Sequence, residues 1–403
     1  MGLLYVANFL DRVNVGFAAL TMNKDIGLSA QAYGLGAGMF FIGYFFCEVP
    51  SNLIMEKVGA RLWMFRIMLT WGLVSMATAF ARGPISFYLL RFLLGVCEAG
   101  FFPGMILYLT YWFPAASRGQ FSALFLSAIL VANIIGSPIS GYILTVAGGV
   151  AGLKSWQWLF LIEGIPSLVL GVVTLFYLPD RPADARWLAD HEKVLIHDAL
   201  ARDEMAPRTA RDGLSDYRIW LLCLADVGLI TATYGLALWL PQIVKGMGFD
   251  NLQTGFMVAI PYAVAIVAMI AWARASDANG ERLWHVALAA LLASVGLIVA
   301  AITGTGPWAM LALAVATMGI YAAVAVMWTL PQSLLGGTAA AAAIALVNSV
   351  GNLGGFAGPA IAGYLKDATG SYSAAMLVFA GGLALSAAVT ITMSRFNLAT
   401  KPA

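Results

Sequence analysis

The sequence predicts an all-α membrane protein, with twelve transmembrane helices in two six-helix repeats around a central cavity. Three observations support this. The 403 residues are 61% hydrophobic and only 10% charged, whereas an ordinary soluble domain is about 25% charged. Apolar runs of about 20 residues, long enough to cross a bilayer, recur twelve times. One long polar segment, 179–218, follows the sixth run and holds seven basic and nine acidic residues.

We number these runs as spans 1 to 12. They are predicted at residues 2–22, 33–54, 62–81, 85–112, 119–144, 156–178, 219–244, 252–273, 283–303, 307–334, 339–365 and 373–394. The chain then divides into an N-terminal bundle (1–178), a cytoplasmic linker with an amphipathic helix capped by Asp184 (179–218), a C-terminal bundle (219–396) and a short cytoplasmic tail (397–403).

A repeated motif indicates that the two halves derive from one duplicated unit. The segment 58–63, Val-Gly-Ala-Arg-Leu-Trp, follows span 2, and the segment 279–284, Asn-Gly-Glu-Arg-Leu-Trp, follows span 8. The same offset relates Pro138 in span 5 to Pro359 in span 11. Paired six-helix repeats that enclose a site near the bilayer midplane are a common plan of transporters.

The distribution of Lys and Arg predicts the orientation. Most of them lie in the loops that face the cytoplasm if the N-terminus is inside, so both termini are predicted to be cytoplasmic. The first apolar run leads directly into further spans, which argues against a cleavable signal peptide.

Other function classes lack their sequence signals. A net charge of +2 does not favour nucleic acid as a partner. The three cysteines and three histidines have no metal-ligand spacing, so neither a metal nor a cofactor is expected. Motifs of hydrolases, metalloproteases and nucleotide-binding enzymes are missing from the sequence, so an enzyme is not expected.

Four charged residues inside the first half stand out: Asp11, Arg12, Arg91 and Glu98. Charges at bilayer depth are costly and mostly functional. Asp11 lies about 15 Å into span 1, near the midplane of a core about 30 Å thick. Arg12 projects about 100° away from it, so each needs a partner elsewhere. Helix packing alone is the competing explanation.

Arg91 and Glu98 are two turns apart on one face of span 4, with Glu98 near the level of Asp11. An arginine fork binds a carboxylate at two points and stays charged. A protonatable carboxylate beside that arginine would compete with a bound anion, which would link proton binding to anion binding.

Other polar residues inside the predicted spans are weaker candidates for a functional role. We expect Glu48 at the membrane interface, and we favour structural roles for Glu163 and Asp226. Further candidates for lining a cavity, with packing an equal alternative for each, are Tyr44, Gln242, Trp328, Thr329, Asn348 and Asn352. Glycine pairs such as Gly34 and Gly38 predict close helix approach.

The motifs resemble the major facilitator superfamily and, within it, the anion:cation symporter family. The similarity rests on Asn-Phe-Leu-Asp-Arg-Val-Asn at 8–14, Arg-Phe-Leu-Leu-Gly-Val-Cys-Glu-Ala-Gly-Phe-Phe-Pro-Gly at 91–104, Tyr-Trp-Phe-Pro at 111–114 and Trp-Gln-Trp-Leu-Phe-Leu-Ile-Glu-Gly at 156–164. The bacterial branch that imports tartrate, phthalate and hydroxyphenylacetate is most similar. The loop signatures are degenerate and comprise Glu56, Lys57, Gly59 and Arg61 in the first copy and Asp277, Gly280 and Arg282 in the second.

The resemblance implies a proton-coupled symporter of a small organic carboxylate, acting as a monomer in a bacterial cytoplasmic membrane. It implies that Asp11 and Glu98 carry protons and that Arg91 couples to Glu98. Substrate contacts are implied for Arg12, with Tyr44, Gln242, Trp328, Thr329 and Asn348, and the loop signatures would act in gating. An exporter or exchanger of drugs or metabolites with the same fold is the alternative, and a receptor is a more distant one.

Overall fold

The structure, a computed structural model, describes residues 2–113, 115–201, 214–335 and 337–396. Its described part contains twelve helices that are long and apolar enough to cross a membrane. The predicted tail 397–403, residues 202–213 of the predicted linker and Gly336 lie outside the described residues.

The spans of the first half are helical over Gly2–Asp25, Ala30–Val58, Ala60–Ala77, Pro84–Glu98 continued by Phe101–Trp112, Ala115–Val146 and Ser155–Tyr177. Those of the second half are Tyr217–Lys245, Asn251–Asn279, Leu283–Thr303, Pro307–Met327 followed by Leu330–Leu334, Gly337–Thr369 and Ser373–Arg395. Every predicted span is present, and the helices extend beyond most predicted boundaries because polar residues continue them past the apolar core.

Span 4 is broken, although its apolar run predicts one continuous helix. The first segment ends at Glu98, and Gly100 adopts a left-handed backbone with φ +85°. Only glycine takes this conformation without steric cost, and a Cβ on Gly100 would overlap the Ser51 hydroxyl. The break places the Glu98 carboxylate at a helix end, in the middle of the bundle.

The two halves repeat the same helix pairings. Spans 1 and 5, 1 and 6, 2 and 4, 3 and 4, and 3 and 6 pack together, and each pairing recurs six spans later. Between the halves, span 2 packs on span 11 and span 5 on span 8, which are equivalent contacts under exchange of the repeats. The repeated motif is therefore matched by repeated packing.

The polar segment contains a helix, although not where its sequence signals placed the start. The helix covers Asp190–Ala201, and the Glu192 carboxylate accepts from the Ala189 N–H. Asp184 instead ends a short turn of 3₁₀ helix, Pro182–Asp184, which lies before the helix. Trp187, three residues before the helix, stacks on Trp112 at the end of span 4.

One end of the bundle joins the halves through backbone groups, and we call it the closed end. The Asp367 carboxylate of span 11 accepts from the N–H groups of Ala30 and Gln31 at the start of span 2. The Tyr33 hydroxyl donates to the Leu238 carbonyl of span 7 at 3.0 Å. A Cβ at Gly34 would overlap the Pro359 carbonyl, so the predicted close approach at this glycine is confirmed.

We expect Gly34→Ala to force the closed end apart, because the added methyl group meets backbone rather than a movable side chain. The melting temperature of the purified protein should fall. Amide hydrogen exchange of peptides covering Ala30 and Gln31 should accelerate. Gly381→Ala is the matched control, since Gly381 is also helical but has open space around it, and alanine favours a helix by about 1 kcal/mol. Equal behaviour of the two variants would contradict the close packing of Gly34 on the Pro359 carbonyl.

Candidate functional site

Arg12 lies between the halves at the centre of the bundle. Its side chain is almost fully buried, and its Nη1 donates to the Tyr234 hydroxyl of span 7 at 2.8 Å. Its Nη2 donates to Oε1 of Glu98, whose side chain has no exposed surface. Arg12 therefore connects span 1 to span 4 in its own half and to span 7 in the other.

Aromatic rings surround the Arg12 guanidinium. Its central carbon lies 4.8 Å from the ring centre of Phe9, 5.0 Å from that of Phe40 and 5.6 Å from that of Tyr44. Ring faces stabilise a cation, by about 2 kcal/mol or more where water is excluded. The rings lower the cost of holding the cation at this depth without neutralising its charge.

Arg12 lines a small cavity of about 60 Å³ between the two halves. The other lining residues come from spans 1, 2, 4, 5, 7, 10 and 11: Tyr5, Phe9, Tyr44, Phe102, Ile129, Asp226, Ile230, Thr233, Tyr234, Tyr321, Val324, Trp328, Asn348 and Asn352. Helices of both repeats contribute, so a molecule held there would contact the two halves together.

Asp11 is buried away from this cavity, inside the first half. Its Oδ2 accepts from Trp71 Nε1 at 2.8 Å and from the Ser167 hydroxyl at 2.5 Å, and its Oδ1 accepts from the Ser75 hydroxyl at 2.9 Å. These three donors come from spans 3 and 6, so no sequence pattern near Asp11 indicates them. The predicted divergence of Asp11 and Arg12 is confirmed.

The resemblance implies that Arg91 couples to Glu98. In the structure, the hydrogen-bonded partner of Glu98 is Arg12. Arg91 is buried on the same helix, but two turns separate it from Glu98 by about 10 Å along the axis. No hydrogen bond or ion pair joins the two side chains in the described part of the chain. The three guanidinium nitrogens of Arg91 have no hydrogen-bond partner among the described residues, and its central carbon lies 5.4 Å from the Phe40 ring centre.

The predicted cavity residues divide into two groups. Tyr44, Trp328, Asn348 and Asn352 line the cavity with Arg12. Gln242 and Thr329 are not among the described residues that line it. Thr329 lies beside a loop signature instead, where its hydroxyl accepts from Arg282 Nη1 at 2.9 Å.

Gln242 is also on span 7, two turns beyond Tyr234 and thus about 12 Å further along the helix axis. Gln242 therefore lies closer to the closed end than to the cavity.

Glu48 is buried, and the expected interfacial position is wrong. Span 2 continues ten residues beyond Glu48, so its carboxylate lies about 15 Å from the helix end. Asn348 Nδ2 donates to its Oε1, and the Ser349 hydroxyl donates to its Oε2 at 3.3 Å. This contact joins span 2 to span 11 across the two halves. The partners of Glu48 are distant in the chain, so no local sequence pattern indicates this contact.

Two further buried acids differ in their contacts. Glu163 accepts from the Ser140 hydroxyl at 2.6 Å, within the first half. Asp226 lines the cavity, and its oxygens have no hydrogen-bond partner in the described chain.

The loop signatures make ion pairs at the ends of the spans. Arg61 donates from its backbone N–H to Asp180 at 2.8 Å, and its side chain lies 4.0 Å from the same carboxylate. In the second copy, Arg282 pairs with Asp277 at 3.0 Å. Gly59 and Gly280 both have positive φ. Glu56 borders a groove beside span 11, and Lys57 is exposed.

The described part of the chain has twelve apolar helices in two repeats around a charged cavity, which defines a membrane transporter and not an enzyme. The family follows from sequence comparison. The profile of the Major Facilitator Superfamily matches residues 1–359, and the chain belongs to that superfamily.

Similar proteins agree with this assignment. An Agrobacterium vitis protein named "Putative tartrate transporter" is 50% identical over 397 residues, which cover 98% of this chain and 92% of that protein. An Acinetobacter baumannii "Quinolone resistance transporter" is 41% identical over 403 residues, 98% of this chain and 93% of that protein. The fold matches a solved inward-facing, occupied bacterial homologue of the human lysosomal transporter Spinster, with a TM-score of 0.80 at 17% identity over 98% of this chain and 95% of that one.

We expect Asn348→Ala to destabilise the contact between span 2 and span 11, because it removes the hydrogen bond that Asn348 donates to the buried Glu48 carboxylate. Losing a partner of a buried polar group costs about 1–3 kcal/mol, so the melting temperature should fall by a few degrees. Asn279→Ala, at the exposed end of span 8, is the control. An unchanged melting temperature for Asn348→Ala would contradict the contact.

Proposed function

We propose that this transporter is a proton-coupled symporter that imports a small organic carboxylate by alternating access. It would act as a monomer in a bacterial cytoplasmic membrane with both termini in the cytoplasm. One observation carries the proposal: the guanidinium of Arg12 lines the cavity between the halves and is held there by Glu98. The tartrate-named relative, half identical over nearly the whole chain, supports a carboxylate as cargo.

Competition for Arg12 supplies the coupling. The guanidinium fork binds a carboxylate in two-point fashion, and Glu98 occupies one arm of it. A proton on Glu98 removes the charge that holds this arm, so Arg12 becomes available to the substrate carboxylate. Binding of the proton and binding of the anion then favour each other through a shared partner.

The charge balance of the buried cluster fits this scheme. Asp11, Arg12, Arg91 and Glu98 sum to zero when all are ionised. One proton and one monovalent anion leave that sum unchanged, which matters because net charge at bilayer depth is expensive. Arg91, buried without a hydrogen-bond partner among the described residues, would supply the second positive charge of the cluster.

Asp11 is proposed as a second proton carrier inside the first half. Its three neutral donors hold the carboxylate where spans 1, 3 and 6 meet. Protonation would weaken those hydrogen bonds and loosen span 1, which also carries Arg12. Asp11 would thus act on helix position, whereas Glu98 acts on the binding group itself.

Binding and release would require movement of one half against the other. Trp328, Tyr44, Asn348 and Asn352 would contact the substrate from both sides of the cavity. The loop signatures, with the Arg61–Asp180 and Arg282–Asp277 pairs, would act in gating at the ends of the spans. Thr329 and Gln242, which lie away from the cavity, would affect transport through the conformational change and not through direct contact.

An exporter or exchanger is the second candidate, and the quinolone-resistance relative favours it. Quinolones also carry a carboxylate, so Arg12 would bind the carboxylate of the cargo in an importer and in an exporter. Everted membrane vesicles with an imposed pH gradient separate the two. Import predicts proton-driven uptake in right-side-out vesicles, whereas export predicts it in everted ones.

We expect Arg12→Ala to abolish uptake of a carboxylate substrate, a loss of about 100-fold or more, because nothing else in the described cavity lining carries a positive charge. Arg12→Lys should retain only a small fraction, since lysine has no fork. The measurement is tracer uptake into proteoliposomes, with the exposed Arg82→Ala as control. Near wild-type uptake by Arg12→Ala would contradict the assigned role.

We expect Glu98→Gln to separate proton coupling from substrate movement. The variant keeps the shape of the side chain but cannot exchange a proton, so accumulation driven by a pH gradient should stop while substrate exchange continues. Both are measured in the same proteoliposomes. Glu163→Gln, a buried acid outside the cavity lining, should keep both activities. Loss of exchange together with accumulation would place Glu98 in binding or folding instead.

A further inference from the structure

Glu48 is a buried acid that the proposed mechanism does not use. Its side chain is 3% exposed, and its hydrogen-bond partners are neutral groups of span 11, namely the amides of Asn348 and Asn352 and the hydroxyl of Ser349. The charge that acts on it from span 1, Arg12, is paired with Glu98 instead. An ionised carboxylate is costly to bury without a paired cation, so packing alone does not account for an acid at this position.

The partners of Glu48 suit both of its protonation states. An amide and a hydroxyl each hold a donor and an acceptor, so they can bind an ionised carboxylate through a hydrogen and a protonated one through an oxygen. The Arg12 guanidinium and the Trp71 indole only donate, so Glu98 and Asp11 lose hydrogen bonds when they are protonated. Glu48 can therefore gain or lose a proton and keep its contact between spans 2 and 11.

Glu48 lies between two cavities. On one side, its partners Asn348 and Asn352 line the central cavity together with Arg12. On the other side, Glu48 and Ser349 line a groove of about 230 Å³ between spans 2, 4 and 11. A water molecule takes up about 30 Å³ in the liquid, so this groove has room for several.

Four polar residues of span 2, which we call the polar stripe, lead from the central cavity along the groove. Tyr44, Glu48, Asn52 and Glu56 follow one another at intervals of four residues, which places them along one side of the helix, about 6 Å apart. Tyr44 lines the central cavity, and the other three line the groove. Asn52 Nδ2 donates to the Glu48 carbonyl, and its Oδ1 is buried without a hydrogen-bond partner among the described residues. That oxygen is free to accept from water.

The polar stripe ends at the side opposite to the closed end. Span 2 begins at the closed end with Ala30 and ends at Val58, and Glu56 is exposed near that second end. Tyr111 of span 4 is the titratable neighbour that acts electrostatically with Glu56.

Few groups with charge surround Glu48. Among the described residues, span 1 contributes Arg12 and span 2 contributes Tyr44. Span 11 contributes only the neutral partners already named, and the second segment of span 4 contributes Pro103 and Leu107. The polar stripe thus runs between apolar walls.

We infer that the polar stripe of span 2 is the path by which a proton leaves the central cavity, and that Glu48 carries the proton from the cavity to the groove. The inference rests on the proposed function and adds a route to it. The O–H bond of protonated Glu98 breaks when Arg12 pairs with it again, and a water molecule passes the proton to the Glu48 carboxylate. The proton then leaves Glu48 through water in the groove, reaches Glu56 and enters the solvent. Each carboxylate returns to its ionised form, and no electron is transferred.

The first test needs no substrate. Infrared difference spectra of the purified protein follow the C=O band of protonated carboxyl groups from about pH 4 to about pH 9, the range in which carboxyl groups titrate in proteins. Glu48→Gln should remove part of the pH-dependent amplitude of this band. An unchanged amplitude would mean that Glu48 does not exchange a proton, and the inference would be overturned.

The second test uses proteoliposomes that contain the pH dye pyranine, with labelled tartrate as the probe. Glu48→Gln, Asn52→Leu and Glu56→Gln should each slow net uptake driven by a pH gradient about tenfold or more. Tartrate exchange should stay within about threefold of wild type, because exchange does not require release of the proton. The ratio of protons to tartrate should be unchanged, since Glu98 still binds the proton.

Two variants serve as matched controls in the second test. Asn52→Ser keeps a polar group and room for water at the middle of the polar stripe. Glu163→Gln removes a buried acid that lines neither the central cavity nor the groove. Both should take up and exchange tartrate at rates within about threefold of wild type.

The outcomes distinguish this inference from the proposed function. If the three stripe variants keep the wild-type net rate, or if they lose exchange together with net uptake, the path is wrong and proton-coupled transport stands. If wild type takes up tartrate without moving protons, the proposed coupling fails and the path fails with it. If wild type does not take up tartrate, the proposed cargo is in error and the infrared band of Glu48 decides the inference. If Glu48→Gln does not fold, Asn52→Leu and Glu56→Gln decide it by their net rates.

Discussion

The ion pair of Arg12 and Glu98 is the interaction on which the rest of the site depends. It brings a cation from span 1 and an anion from span 4 into an apolar bundle, and Tyr234 adds a hydrogen bond from the other half. A buried pair of this kind is poor evidence of stability, because desolvation offsets its attraction. The pair is instead suited to exchange of partners. A carboxylate that enters the cavity could replace Glu98 at Arg12, and a proton could neutralise Glu98.

The surrounding structure keeps this pair separate from the other buried charges. The helix break at Gly100 ends the first segment of span 4 at Glu98. Aromatic rings of Phe9, Phe40 and Tyr44 surround the guanidinium without competing for its N–H groups. Asp11 has its own donors inside the first half, so it does not neutralise Arg12. Each buried acid thus has a distinct set of neighbours, which allows distinct roles in one transport cycle.

The halves contact each other in two ways, with different consequences for movement. At the closed end, backbone meets backbone at Gly34 and Pro359, and such contacts form or break as a unit. Deeper in the bundle, Arg12 with Tyr234 and Glu48 with Asn348 join the halves through side chains that line or border the cavity. A substrate in the cavity would contact the same side chains that join the halves. Its binding could therefore change how the halves contact each other, which alternating access requires.

The sequence alone determined the twelve spans, the duplication and the buried charges, because apolar length and charge at bilayer depth are local properties. It also offered Arg12, Tyr44, Trp328, Asn348 and Asn352 as candidates, and in the structure these residues line one cavity. Only the tertiary structure decided which charges meet. Glu98 pairs with Arg12 and not Arg91, Glu48 is buried against span 11, and Asp226 lines the cavity with no hydrogen-bond partner among the described residues. Those contacts depend on partners from helices far apart in the chain, on a break at Gly100 and on the space that Gly351 leaves beside Asp226. No local sequence pattern predicts these features, because each is set by how distant helices pack.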